Sequence, residues 1–329
     1  MGSRIIFILL PLICIFLSLG VGSYDISLSE AARIILNKIT FTPQTASPIV
    51  TGLVLDVRLP RILGAAMVGA GLAVSGAVFQ GIFGNPLADP YTLGVSNGAG
   101  FGAALAIVLS LSTLGVQISA MIFGIISVIL TFLLAFKNRR SSVTLILSGM
   151  LVSALFASLV SLIKFTADPY EKLPEIIFWL MGSLVSISYK KLLLILPGYL
   201  ISIFILFMYR WRINVLSMGN REARSFGVDT KKDRLVVILA GTLLTALVVS
   251  ISGIIGWVGI VIPHFARILT GPDFRKLMPV SASLGICYLL LIDNLCRTLT
   301  ASEIPIGVIT GIVGIPLFVY FIYTKKVNW

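Results

Sequence analysis

Apolar runs of about eighteen residues or more, each closed by a short polar or basic break, recur along almost the whole chain. At helical rise a run of that length crosses a hydrocarbon core of roughly 30 Å. The pattern predicts an all-α polytopic membrane protein, a single transmembrane domain over residues 1–329 with about ten transmembrane helices. The spans are read at Ile5–Leu19, from near Leu59, through the run that follows Gly94, and at Ile118–Phe136, Val143–Phe165, Leu192–Tyr209, Leu235–Ser252, Ile254–Leu269, Leu277–Leu295 and Ile306–Tyr323. Arg4 before the first run also fits a signal peptide, but no A-x-A cleavage site follows, so that run is read as a span. Residues 24–56 form an external loop with a short amphipathic helix, opened by a Ser27 to Glu30 capping box and carrying Ala31, Ile34, Ile35 and Ile39. Glu175–Leu184 is apolar but too short to cross.

Two stretches are smooth as well as apolar. Ala65, Gly69, Ala73, Ala77 and Gly81 recur every four residues, and Gly94, Gly98, Gly102 and Ala106 do the same after a polar break. That spacing keeps small residues on one helix face, where a second backbone can approach closely in lipid. Both helices are expected in the middle of a bundle. Between them Gly84, Asn85, Pro86, Leu87, Ala88, Asp89 and Pro90 make a rigid turn.

Composition excludes more than it assigns. With 57% apolar and 12% charged residues, a soluble fold would have a surface almost free of charge. The net charge of +12 lies in short clusters between apolar runs, without an aromatic-interleaved basic patch, so no nucleic acid is expected as a partner. With the N-terminus inside, the inner segments hold sixteen Lys and Arg and five acids, net +11. The outer segments hold nine and eight, net +1. The positive-inside rule therefore places both termini in the cytoplasm. Cys14, Cys287 and Cys296 show no disulfide or metal-ligand spacing, and no metal is expected.

No catalytic apparatus is legible. His264 is the single histidine, and it is read as a hydrogen-bonded structural residue rather than a proton relay. Gly98, Gly100 and Ala103 match a dinucleotide pattern inside a span with no strand before it. A P-loop is absent, so no cofactor is expected on this chain, and ATP and Mg would have to be brought by a partner. The segment 214–232 is the longest charged stretch. Its Leu216, Met218, Ala223, Phe226 and Val228 alternate with polar residues and predict a short amphipathic helix ending at Gly227; a solvated loop is the plainer alternative.

Several motifs in order carry a resemblance. RLPR at 58–61, NPLADP at 85–90, LGVSNGAG at 93–100, the segment Gly256 to Arg267 with Pro263–His264, and EIPIGVIT at 303–310 resemble the FecCD-type permeases, the membrane subunits of ATP-binding-cassette importers for iron chelates (siderophores), haem or cobalamin. The resemblance implies a permease domain in the cell membrane, surrounded by membrane lipid, paired with a second copy of itself, two cytoplasmic ATP-binding-cassette subunits and an external substrate-binding protein. It implies import of a metal chelate, a ferric siderophore first, with haem, cobalamin or molybdate as other cargo. By the same resemblance, 214–232 is a cytoplasmic coupling segment whose contact with the ATPase uses Leu216, Met218, Gly219, Arg221, Glu222, Ala223, Phe226 and Gly227. Asn220 and Phe226 stand there where an acid and a leucine are common in the family.

The resemblance further makes Asn85, Pro86 and Leu87 a cytoplasmic gate. It turns Arg58, Arg61 and Arg297 toward acids of the binding protein; their alternative is snorkelling at the interface, with Asp293 paired to Arg297 at i+4. Ser148, Ser153, Ser158 and Ser161 are candidates for the pathway wall, or else packing hydroxyls. The opposing function is an ion-coupled secondary transporter or channel without an ATPase. Intramembrane acids would favour it, and Asp293 is the single acid inside an expected span.

Overall fold

The computed structural model describes residues 2–22, 24–136, 142–300 and 302–324. The basic cluster Lys137, Arg139 and Arg140 and the final Lys325 and Lys326, all counted above toward the inner face, lie outside the described residues. In chain order the helices are α1 (Gly2–Gly20), α2 (Leu28–Ile39), α3 (Pro48–Gly52), α4 (Leu59–Phe83), α5 (Val95–Val108), α6 (Thr113–Phe136), α7 (Ser142–Thr166), α8 (Lys172–Leu180), α9 (Tyr189–Ser217), α10 (Asn220–Ser225), α11 (Thr230–Ser252), α12 (Val258–Thr270), α13 (Phe274–Thr298) and α14 (Ile306–Thr324). No strand occurs among the described residues.

Six of the described helices are long and apolar enough to cross a membrane, and four shorter apolar helices accompany them: α1, α5, α12 and α14. α5 and α12 correct the expectation of full spans. With 14 and 13 residues they rise only about 20 Å at 1.5 Å per residue. α12 starts at Val258 rather than near Ile254 because Trp257 adopts a left-handed φ of 72° and interrupts the helix. The second span is corrected in the other direction. It begins at Pro48, not near Leu59, and runs unbroken to Phe83 through a π-helical turn, Leu53–Arg58. Pro60 has no N–H to give to Asp56 and its ring crowds that carbonyl. The widened turn fits this, with the N–H of Leu59 reaching back to Val54 O. In the segment 24–56 Ser27 accepts the N–H of Glu30 and starts α2 as expected.

α4 is the central element, and its small residues explain why. Its first ridge lies on α13: a Cβ added at Gly69 would stand 2.2 Å from Gly285 O, and one at Gly285 would stand 2.3 Å from Gly69 O. A second face, not singled out in the sequence, lies on α12, where a Cβ at Gly76 would meet Gly259 O at 1.9 Å. The α5 ridge packs on α6 in the same way, with Ser119 Oγ donating to Gly102 O at 2.6 Å. Hydrocarbon supplies little hydrophobic drive between helices, so this close packing is what binds them.

Short non-helical stretches are sewn to one another. The N–H of Ser183 donates to Ser252 O (2.8 Å), that of Ile306 to Gly182 O (3.0 Å) and that of Gly307 to Met181 O (3.0 Å). Irregular backbone at depth is tolerated when protein partners satisfy it in this way.

α13 runs antiparallel to α4, so the bundle has two chemically distinct ends. Gly81 meets Phe274 at one end, and Arg61 meets Asp293 at the other. The glycine contacts give a direct test. Gly69→Leu is expected to lower the unfolding free energy in mixed micelles by about 2–3 kcal/mol, whereas Gly256→Ala, with nothing within 4 Å of the added carbon, leaves it unchanged.

Candidate functional site: a clamped turn and an amphipathic segment at the same end

α4 stops because Gly84 turns left-handed, at φ 60° and ψ 32°. Asn85 then caps the turn: its Oδ1 accepts the N–H of Leu87 at 2.9 Å, and its own carbonyl accepts that of Ala88 at 3.0 Å. Asp89 accepts the N–H of Tyr91, and the Tyr91 hydroxyl donates to Ile255 O at 2.8 Å. Gln80 donates its amide to Ile260 O at 3.2 Å. The turn is therefore tied to the start of α12. Burial pushes the Asp89 carboxyl up to about 6, against the lowering effect of the Tyr91 N–H.

Leu87 is 58% exposed on this clamped turn. With Asn85, Tyr91, Thr92, Met150 and Ser153 it lines a cleft of about 440 Å³. Two expected gate residues and one expected wall residue thus share a cleft, and Pro86 holds the turn between them. Ser148 is buried in packing. Ser158 and Ser161 lie away from the cleft on the exposed face of α7, their hydroxyls returned to Ala154 O (3.0 Å) and Ala157 O (2.9 Å).

The segment 214–232, expected to couple to an ATPase, is at the same end. The expected apolar face divides: Leu216, Ala223 and Val228 are buried against the bundle, whereas Met218 and Phe226 are 61% and 59% exposed. Arg221, Glu222 and Arg224 surround this exposed pair. Gly219 and Gly227 bracket α10 with φ of 118° and 73°. Two polar ties hold the segment, and sequence reasoning missed both. Arg212 pairs with Asp233 at 2.6 Å. Asn214 donates to Asp273 Oδ1 at 2.6 Å and accepts the N–H of Phe274 at 2.7 Å. Partial burial alone would raise the Asp273 carboxyl, but the Arg275 N–H and the Asn214 amide outweigh it and hold it below its ordinary value. Phe274 also packs on Gly81, so the segment, α13 and the end of α4 are in one mechanical chain.

At the opposite end the three arginines are a correction. Arg58, Arg61 and Arg297 are 3%, 6% and 5% exposed, not presented outward as forks for a docking protein. Arg58 donates to Leu19 O (2.7 Å) and to Tyr24 O. Arg61 grips Asp293 at 2.8 Å and Glu303 at 2.8 Å. Arg297 reaches Asp293 at 3.1 Å and Val21 O at 3.0 Å. Asp293, fully buried, therefore serves two guanidinium groups and has the structural role that the i+4 pairing foresaw. His264 is buried edge-to-face on Phe318, with ring centroids 5.5 Å apart.

The comparisons with known proteins agree with this architecture. The model of the FecCD transport family matches residues 9–324. The molybdate import system permease protein MolB of Haemophilus influenzae is 44% identical over 319 residues, covering 97% of this chain and 94% of that one. A Helicobacter pylori protein named as a probable iron chelatin transport system permease is 37% identical, covering 96% and 98%. A solved chain described as an inward-facing conformation of an ABC transporter of metal-chelate type superposes with a TM-score of 0.86 at 42% identity, covering 97% and 98%.

Two outcomes are expected from the site. Asp293→Ala strands two buried cations and lowers the unfolding free energy by about 3–5 kcal/mol, whereas Glu303→Gln, at a partly exposed pair, costs about 1 kcal/mol or less. Asp89 keeps in the folded chain a proton that the unfolded chain releases near pH 4. The turn therefore loses stability as pH rises from about 4 to about 6, and Asp89→Asn removes that slope. Hydrogen exchange at the Tyr91 and Thr92 amides, corrected for intrinsic rate, reads both.

Proposed function

The chain belongs to the FecCD transport family, multi-pass permeases of the cell membrane, and on that premise we propose that it is the translocating subunit of an ATP-driven importer carrying a metal oxyanion or metal chelate inward. The observation that carries the reading is the exposed Met218 and Phe226 pair on a segment tied through Asn214 and Phe274 to the end of α4. A chain without a P-loop needs a partner to hydrolyse ATP, and an apolar ridge fixed to the spanning helices gives that partner a lever. The proposed assembly has two copies of this chain, two ATP-binding-cassette subunits with their ATP and Mg, and an external binding protein. With both termini in the cytoplasm, the cleft beneath Leu87 and the coupling segment would lie on the ATPase side. The buried arginine network then lies on the outer side, as reinforcement of the bundle beneath the surface that meets the binding protein.

Molybdate is the first cargo to test, because the molybdate permease shares more identity with this chain than the iron-chelatin permease does over nearly the same coverage. A ferric siderophore is the second reading, supported by the likeness to the iron-chelatin permease; haem and cobalamin complete the panel. Uptake is measured in proteoliposomes holding this chain with its ATPase and binding protein. Cargo accumulation is expected to require ATP on the coupling-segment side. Phe226→Asp should cut it at least about tenfold with the permease still folded, as loss of a contact hot spot does. Leu87→Gly should raise passive flux. Uptake indifferent to ATP and abolished by an ionophore would assign an ion-coupled carrier instead.

A further inference from the structure

A second polar site lies at the end opposite the coupling segment, behind α8. It is a cavity of about 170 Å³ whose wall includes Gln117, Glu175, Trp179, Ser183, Ser186 and Lys191. That volume is several times the roughly 30 Å³ that one water occupies in the liquid. Lys191 is 7% exposed, and its Nζ makes one hydrogen bond, to Ser186 Oγ at 2.9 Å. An ammonium carries three donors, so two are unfilled. None of the ion pairs among the described residues includes Lys191.

Gln117 is also buried in the wall. Its Nε2 donates to Lys191 O at 3.2 Å and fixes the start of α9, but its Oε1 has no partner. The first turn of α6, at Thr113, joins the same wall and brings the positive end of a 24-residue helix. Glu175 is the single acid there, and it is exposed, so water screens it far more than it screens the buried ammonium. A buried cation with spare donors and no counter-charge is unfavourable by itself.

We propose that this cavity is a binding site for a small inorganic anion, held by the Lys191 ammonium and the Ser186 hydroxyl, with a retained water donating to Gln117 Oε1. Its ligand balances the buried charge and supports the seat of α8. The site is separate from the cleft beneath Leu87 and does not depend on which cargo is carried.

The test is equilibrium dialysis of the full chain in detergent, without ATPase or binding protein, in gluconate buffer, against labelled chloride, sulfate or molybdate in turn. Saturable binding of one ion per chain is expected. Preference for chloride assigns a halide site, and preference for sulfate or molybdate an oxyanion site. Lys191→Met should weaken binding at least about tenfold, as loss of a charged hydrogen bond does, and Lys190→Met, at an exposed neighbour, should not. If Lys191→Met does not fold, Gln117→Glu puts a carboxylate into the same cavity wall as the ammonium and should likewise abolish binding. Absence of saturable binding by the unsubstituted chain, or binding unchanged in Lys191→Met or Gln117→Glu, would overturn the proposal.

Discussion

The contact between bare backbones along α4 is the constraint on which the rest of this structure depends. Where Gly69 meets Gly285 and Gly76 meets Gly259 there is no room for a methyl group. Two neighbours are thereby fixed to one central rod at a separation that no side chain mediates. In lipid, where apolar side chains gain little from meeting one another, dispersion at such distances is what remains to order helices. Polar ties are then added at the two ends. One end has a network of buried ion pairs; the other has an ion pair, Arg212 with Asp233, and separate hydrogen bonds at its turns.

That difference divides the labour. At the arginine end, Asp293 sits between Arg61 and Arg297, and the carbonyls of Leu19 and Val21 at the α1 terminus accept from Arg58 and Arg297. Such a network locks α1, α4, α13 and the approach to α14 together. At the other end, Asn85, Asn214 and Asp273 hold their turns by one or two bonds each. The buried charge at this end that an ion pair holds is Asp233, paired with the half-exposed Arg212.

Local patterns were legible in the sequence, and distant pairings were not. The small-residue ridges were readable because a four-residue period maps directly onto one helix face, and the turn at Gly84 to Pro90 was readable because Gly and Pro act locally. The burial of the arginines was not. Arg61 finds its acids on α13 and before α14, and nothing within a few residues of the RLPR motif distinguishes an inward guanidinium from an outward one. The division of the 214–232 face was not legible for a related reason. Alternation marked five apolar residues as one face, but Leu216 ends a long helix and Val228 precedes the next, so tertiary packing took three of the five inward. The early start of the second span at Pro48 was hidden because the π-helical turn shifts the register at which apolar residues repeat.

The stitched stretches near Gly182, Ser252 and Ile306 bear on how the chain is made. Gly182 and Met181 leave the ribosome well before their hydrogen-bond donors at Ile306 and Gly307 exist. Until α14 enters the bilayer, those carbonyls have only provisional partners, and α8 has no finished seat. Synthesis from the N-terminus therefore leaves the molecule open at its middle, and long-range closure of this kind is slow. α14 completes a structure laid down well before it in the chain, and a nascent protein stalled before α14 would be a natural substrate for membrane quality control.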